Sequence, residues 1–260
     1  MSLRRKLTIV IPCFNERDTV LEVIERVKGV DVDKRIVVVD NASTDGTREL
    51  LRSVCTGERA ASAPDFEDAP GLLAGQRILD GDGFTALLQP TNLKKGTSVR
   101  TGLALANSEY VICQDADLEY DPRDILRLLE HADRTGAAAV FGSRLQRAAT
   151  FKLDLFHVGR VALTKLFRGL YGCELTDVAT CYKLLRTDVA RSLDMQSSGF
   201  DLDFEIPAKL ARWKHSLLEL PISYTPRGSD RGKKLRWRDG LSATWILVKL
   251  RFFLPPKPAV

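Results

Sequence analysis

The chain has 260 residues, 44% hydrophobic and 28% charged, with a formal charge of +5. That length holds one large domain or a domain with an elaborated C-terminal half, and the composition builds an ordinary core without staples. The basic excess suits nucleic acid, an anionic membrane surface or a phosphorylated substrate. No recognition-helix, zinc-finger or aromatic-sheet signature accompanies it, so nucleic acid is not expected as a partner. Five cysteines form no CxxC pair; they read as free thiols in a reducing, cytoplasmic setting. The N-terminus leads straight into a strand without the apolar stretch of a signal peptide. No uncharged apolar run reaches the roughly eighteen residues of a membrane-spanning helix.

Predicted elements alternate through the first half. β-Branched-rich runs at 7–11 and 36–39 read as buried parallel strands, and 85–88, 110–113 and 137–141 continue the series. Between them, residues 19–28 place Val20, Val23, Ile24 and Val27 on one helical face, 97–106 form another helix, and Pro122 opens a third. The β-α-β-α-β order predicts a doubly wound, largely parallel α/β sheet, whose ligands sit at the carboxyl ends of the strands. The Ala-, Gly-, Asp- and Pro-rich stretch 55–84 breaks this rhythm and reads as an exposed insertion. Later come a helix at 159–170, a short segment at 181–185, a helix at 204–212, a strand at 216–224 and a closing segment at 240–254.

Acidic residues recur at strand ends. IPCFNE follows the first strand, and DNASTDGT follows the second, with Asp40 at its carboxyl end, where an acid can accept hydrogen bonds from a ribose or base edge. Ser43, Thr44 and Asp45 also suit capping of the helix that follows. The fourth strand ends in Gln114-Asp115-Ala116-Asp117-Leu118-Glu119. Carboxylates two residues apart there can reach one hard divalent ion, Mg2+ or Mn2+, bridging a diphosphate and neutralising the leaving group. A DxD alone is a common acidic turn; its position after a buried strand, in series with Asp40, gives it weight.

The order IPCFNE, DNASTDGT, NLKKG, QDADLEYDP and FGSR resembles the family-two glycosyltransferases of the GT-A fold. TCYK at 180–183, FDLDFEI at 200–206, ELPISYTPR at 219–227 and GKKLRWRDG at 232–240 resemble their polyprenyl-phosphate branch, the dolichyl-phosphate mannose and glucose synthases. The resemblance implies a GT-A domain over residues 1–230 with a C-terminal helical extension over 231–260. It implies a GDP- or UDP-sugar donor, with Pro12, Phe14 and Glu16 lining base and ribose and Asp40 reading the base. Lys95 and Arg100 match positions near the nucleotide. Asp115 would touch ribose or metal, Asp117 would hold the metal, and Glu119 would add an oxygen. Phe14 stands where relatives often have tyrosine, Asn41 where they have a second aspartate, and Lys94 where they have glycine.

Basic residues form a second constellation. Arg144 follows the strand at 137–141, Arg160 and Thr164 share a helical face, and Arg227, Lys233 and Lys234 follow the last strand-like run. In relatives, such positions clamp an acceptor phosphate, which guanidinium matches bidentately; any one arginine alone reads rather as a solvated surface charge, and it is the cluster that favours phosphate. A phosphate acceptor is already anionic and needs positioning and charge screening. A hydroxyl acceptor needs a general base, for which Asp201, Asp203 and Glu205 are the candidates, although all three also suit the first turn of a helix. The tail from Trp237 mixes Trp245, Phe252 and Phe253 with cations, which suits the inner membrane surface, packing on the body, or another subunit of a homo-oligomer.

The expected activity is inverting, metal-dependent transfer of a sugar to a polyprenyl phosphate, with inversion implied by the resemblance alone. Transfer to a sugar hydroxyl is the first alternative and a non-catalytic nucleotide-sugar-binding protein the second. A nucleotidyltransferase lacks support, since no glycine-rich phosphate loop follows the first strand.

Overall fold

All seven residues of β1 (Leu7–Cys13) are buried, the pattern of a strand covered on both faces. The structure is a computed structural model describing residues 5–60, 75–145, 155–226 and 237–255. After β1 come α1 (Val20–Lys28), β2 (Lys34–Asp40), α2 (Thr47–Ser53), β3 (Cys55–Ala60), β4 (Arg77–Gly81), β5 (Phe84–Leu88), α3 (Lys94–Ala104), β6 (Tyr110–Cys113) and α4 (Asp124–Thr135). The second half supplies β7 (Ala139–Ser143), α5 (Leu155–Tyr171), β8 (Lys183–Arg186), α6 (Thr187–Ser192), α7 (Leu202–Arg212), β9 (Leu217–Pro221) and α8 (Trp237–Phe253).

The described strands form one sheet in the order β3-β4-β5-β2-β1-β6-β8-β7-β9. β1 pairs in parallel with β2 and β6, and β2 with β5. β8 runs antiparallel to both β6 and β7, which restores β7 and β9 to the direction of β1. The carboxyl ends of β1, β2, β5, β6, β7 and β9, together with the start of β8, therefore share one edge of the sheet. That edge carries the motifs.

Alternation along each strand sends side chains to two cores. Leu7, Ile9 and Ile11 of β1 pack with Val20, Val23, Ile24 and Val27 of α1 and Ile125, Leu128 and Leu129 of α4. Val10, on the opposite face, joins Val99 and Leu103 of α3, Phe167 of α5, and the apolar residues of α7 and α8. The result is an α/β arrangement with helices on both faces of a mixed, mostly parallel sheet. Helix α3 lies so close to β1 that a Cβ on Gly102 would stand 2.2 Å from Val10 Cγ1. Gly102→Ala is expected to cost about 1–3 kcal/mol through overpacking, read as a lower urea midpoint at unchanged slope.

One expectation needs correction. The stretch 55–84 contributes β3, β4 and the first residue of β5 to the sheet, through the antiparallel ladders β3–β4 and β4–β5. Ile78 and Leu79 are fully buried, but Cys-Thr-Gly-Glu-Arg-Ala and Arg-Ile-Leu-Asp-Gly carry too few apolar residues to read as strands. Residues 61–74 lie outside the described residues. Within the expected C-terminal extension, Ala243, Leu247 and Leu250 of α8 are buried in the same core as Leu210 of α7. Tyr171 Oη donates to Leu247 O at 2.8 Å, and Trp213 Nε1 to Pro255 O at 3.2 Å. Among the described residues, no helix is long and apolar enough to cross a membrane.

Candidate active site

The loops after β1 and β2 brace one another. Cys13 and Asp40 are register partners, and Asn15 and Ala42 then turn the chain with φ of 52° and 59°. Asn15 N donates to Ser43 Oγ at 2.9 Å, Thr44 N to Asn15 Oδ1 at 2.8 Å, and Glu16 N to Thr47 Oγ1 at 3.0 Å. Pro12 is buried, whereas Phe14 and Glu16 are half-buried at the rim. Thr19 Oγ1 donates to Ala116 O at 2.6 Å and lies 3.1 Å from Glu16 Oε2, tying this rim to the DAD turn. The N-cap of α2 is Gly46, with φ of 94° and no side-chain capping bond; Asp45 Oδ1 accepts from Thr47 N at 3.0 Å across the turn that leads into the helix.

Asp40 was expected to face a base. It is fully buried, and Arg48 donates to its Oδ2 through Nε at 2.9 Å and Nη2 at 2.7 Å, while Ser43 N lies 3.3 Å from Oδ1. A carboxylate enclosed to this degree needs a cation, and Arg48 supplies one while also bonding Gln89 O at the end of β5. Asp40 here holds three strand ends together. Asn41 adds a second tie, donating through Nδ2 to Asn92 Oδ1 and accepting from Leu93 N.

The carboxylate turn follows β6. Buried Gln114 donates to Asp115 O at 3.0 Å and accepts from Tyr182 Oη. Leu118 takes a left-handed φ of 62°, and Asp117 Oδ1 accepts from Glu119 N at 3.1 Å. Asp115 Oδ1 stands 2.8 Å from Lys95 Nζ. Burial would raise the Asp115 carboxyl, but Lys95 and the Cys181 thiol outweigh it and hold the group below its ordinary value. Lys95 is correspondingly raised well above the usual lysine range, the two acids Asp115 and Asp203 overcoming its burial. Burial pushes the Cys113 thiol up to about 12, so it is a neutral wall residue.

Glu119 departs from its expected role. Its Oε2 accepts from Tyr224 Oη at 2.5 Å and its carbonyl accepts from Thr225 N at 2.9 Å, so it joins the DAD turn to the segment after β9. Among the described residues, no three His, Cys, Asp or Glu side chains form a metal-binding group. Asp115 and Asp117 offer hard carboxylate oxygens at a strand end, a donor set that fits a cation completing its shell with substrate phosphate and water.

The expected basic constellation falls on β7, α5 and the loop before β8. Arg144 is nearly buried and forms a two-bond pair with fully buried Asp177, Nε to Oδ2 at 2.7 Å and Nη2 to Oδ1 at 2.8 Å. Its guanidinium also lies 5.3 Å from the Tyr224 ring centroid and 5.9 Å from that of Tyr120. Glu219 fixes the partner, accepting from Thr176 N and Asp177 N. Burial lowers the Arg160 guanidinium of α5, and the charge of Arg144 acts in the same sense. Thr164, one turn on, is buried. Arg227, Lys233 and Lys234 lie outside the described residues.

The three candidate bases are all engaged. Asp201 Oδ1 accepts from Gly199 N at 3.0 Å. Asp203 sits between Lys183, 3.1 Å from Oδ1, and Lys95, 3.8 Å from Oδ2. Glu205 is buried, pairs with Lys209 at 2.6 Å and accepts from Gln196 N and Ser197 N, which makes it a fastener of the loop before α7. Arg100 reaches that loop as well, donating to Gln196 O at 3.1 Å. Sequence reasoning missed Arg48, Asp177 and Lys183; Lys183 stood within a quoted motif, but the other two have no local signature because their partners are distant in sequence or in helical phase.

The loops after β1 and β2, the DAD turn and the basic cluster thus share one sheet edge. The profile of Glycosyl transferase family 2 matches residues 8–193. The chain belongs to this family. It is similar to an undecaprenyl-phosphate mannosyltransferase of Micrococcus luteus, 28% identical over 96% of this chain and 100% of the relative. It is also similar to a polyprenol monophosphomannose synthase of Mycolicibacterium smegmatis, 26% identical over 86% of this chain and 78% of the relative. Among solved structures, glucosyl-3-phosphoglycerate synthase from Mycobacterium tuberculosis with Mn2+, UDP and glucosyl-3-phosphoglycerate superposes with a TM-score of 0.61 at 18% identity, covering 96% of this chain and 81% of that one. That likeness establishes the GT-A-like fold, and family membership makes this protein a glycosyltransferase.

Proposed function

We propose that the protein moves a hexose from a nucleoside-diphosphate sugar to the phosphate of a polyprenyl lipid. The observation that carries this reading is the cluster of Arg144, Asp177, Tyr120 and Tyr224 at the sheet edge that also bears Asp115 and Asp117. The names of the Micrococcus and Mycolicibacterium relatives support the acceptor class. The engagement of Asp201, Asp203 and Glu205 supports it further, since a hydroxyl acceptor would require one of them as an open base.

In this reading, the loops carrying Phe14 and Glu16 hold base and ribose, and Asp115 and Asp117 hold Mg2+ or Mn2+, whose charge would neutralise the departing diphosphate. Arg160 positions the acceptor phosphate, one of whose oxygens attacks the anomeric carbon as the bond to the diphosphate breaks, giving a lipid-linked phosphosugar and a nucleoside diphosphate. Arg144, neutralised by Asp177, shapes the pocket wall and orients Tyr120 and Tyr224. Replacing Arg160 by alanine is expected to raise KM for a short polyprenyl phosphate by tenfold to a hundredfold, from loss of roughly 1.5–3 kcal/mol of charged hydrogen bonding, with KM for the donor unchanged. Equal KM values in both proteins would remove Arg160 from the acceptor site.

Helix α8 supports delivery from a membrane surface. Its buried face is Ala243, Leu247 and Leu250, while Leu241, Trp245 and Phe252 are 61%, 63% and 67% exposed on a stripe of helical spacing flanked by Lys249 and Arg251. Aromatic residues beside cations suit an anionic lipid interface. Trp245→Ser with Phe252→Ser is expected to lower co-sedimentation with anionic liposomes by about tenfold or more, given roughly 1.5–3 kcal/mol per large side chain. Transfer to a soluble short-chain acceptor should persist; unchanged sedimentation would detach α8 from the membrane.

A further inference from the structure

Lys95 stands where a cation ligand would be expected to keep an oxygen open. Its Nζ is 2.8 Å from Asp115 Oδ1 and 3.8 Å from Asp203 Oδ2, and it lies over the Phe200 ring at 5.6 Å from the centroid. Asp203 is held from its other oxygen by Lys183, 3.1 Å away; that buried ammonium also donates to Thr180 O and lies 5.5 Å from the Phe141 centroid. The backbone under Lys95 has little room to move. A Cβ on Gly96 would stand 2.6 Å from Ser198 C and 2.7 Å from Gly199 O, and Thr97 N donates to Ser198 O at 3.1 Å. The lysine side chain can change partner while its helix stays fixed.

We infer that Lys95 is an internal counter-ion for Asp115 that yields to a divalent cation and transfers its contact to Asp203. The inference rests on the reading of Asp115 and Asp117 as cation ligands and assigns a role to two residues that reading leaves idle. A carboxylate with most of its surface covered is costly without a positive partner, so the empty enzyme needs Lys95 where it is. Two cations crowded on one carboxylate repel each other, so a metal must displace it. Asp203, with Lys183 fixing its far oxygen, offers the displaced ammonium a second acid within about one ångström of travel, the difference between its 3.8 Å separation and a direct pair. Asp203 therefore receives a charge instead of accepting a substrate proton.

The test is Mn2+ binding to the intact chain without nucleotide, read from the electron paramagnetic resonance of free Mn2+. Lys95→Met is expected to bind Mn2+ on the order of tenfold more tightly, the usual effect of removing one close opposite charge from a carboxylate. Lys95→Arg should stay near wild type. Asp203→Asn, which retains every lysine, should bind several-fold more weakly because Lys95 loses its alternative partner. Equal or weaker binding by Lys95→Met, or unchanged binding by Asp203→Asn, would overturn the inference. Asp117→Asn separates the two levels: if it binds Mn2+ as wild type does, the cation-ligand reading itself fails. Melting temperatures of each variant identify any that bind poorly because they are unfolded, and the oppositely signed pair cannot arise from unfolding.

Discussion

Asparagine at position 117 is expected to lower kcat for sugar transfer by about a thousandfold, the scale reached when a charge-stabilising group is removed from a reacting centre. The substitution is nearly isosteric. Asparagine keeps an oxygen for Glu119 N, the bond that holds the turn at 3.1 Å, so the melting temperature should move by no more than a degree or two. Glu119→Gln supplies the contrast. Its wild-type carboxylate is committed to Tyr224, and an amide oxygen can still accept that hydroxyl, so kcat should fall by less than about tenfold. Steady-state kinetics over a range of Mg2+ and Mn2+ concentrations check both. Similar losses in the two variants would restore Glu119 as a ligand; no loss at Asp117 would remove the DAD turn from catalysis.

The largest expected effect on stability is at Asp177. Alanine there leaves the nearly buried Arg144 guanidinium without its partner, which costs about 3–5 kcal/mol. At roughly 2–4 °C per kcal/mol for a chain of this size, the melting temperature should fall by about 10 °C or more. The same pair dictates a pH dependence. Burial acts to raise the Asp177 carboxyl, and Arg144 and its hydrogen bonds overcome that and hold it below the ordinary value. A depressed carboxylate stabilises the fold fully above its unfolded pKa of about 3.9 and loses that contribution as pH falls through the lower folded value. Urea unfolding between pH 7 and pH 3 should therefore show a loss below about pH 4 that is smaller in Asp177→Asn. Equal acid-side slopes would mean that the Arg144 pair does not stabilise the protein.

Much of the strand and turn around Asp115 was legible in the sequence because it is local. A buried β-branched run followed by an acidic turn is contiguous at 110–117, and the strand falls where the pattern places it, whereas the helix expected to open at Pro122 begins at Asp124. The basic cluster was less legible because its partners meet only through the sheet. Arg144 reads as a phosphate clamp until Asp177, 33 residues later, is brought against it. Glu205 reads as a base until Lys209 and two loop amides enclose it. Asp40 illustrates the same limit within the donor half: its place at a strand end was readable, but its enclosure by Arg48 from the next helix depends on the rotation of α2 over the sheet. The stretch 55–84 failed for a different reason, since short edge strands carry neither a long apolar run nor an amphipathic stripe.

The most direct measurement is product formation by the purified chain, offered a panel of GDP- and UDP-hexoses with a short polyprenyl phosphate, in Mg2+, Mn2+ or a chelator, and followed by mass spectrometry. At least one donor is expected to give a lipid phosphate heavier by one hexosyl unit and a released nucleoside diphosphate, both dependent on the metal. Undiminished transfer in chelator, transfer only to hydroxyl acceptors, or no turnover with any donor would overturn the proposed function.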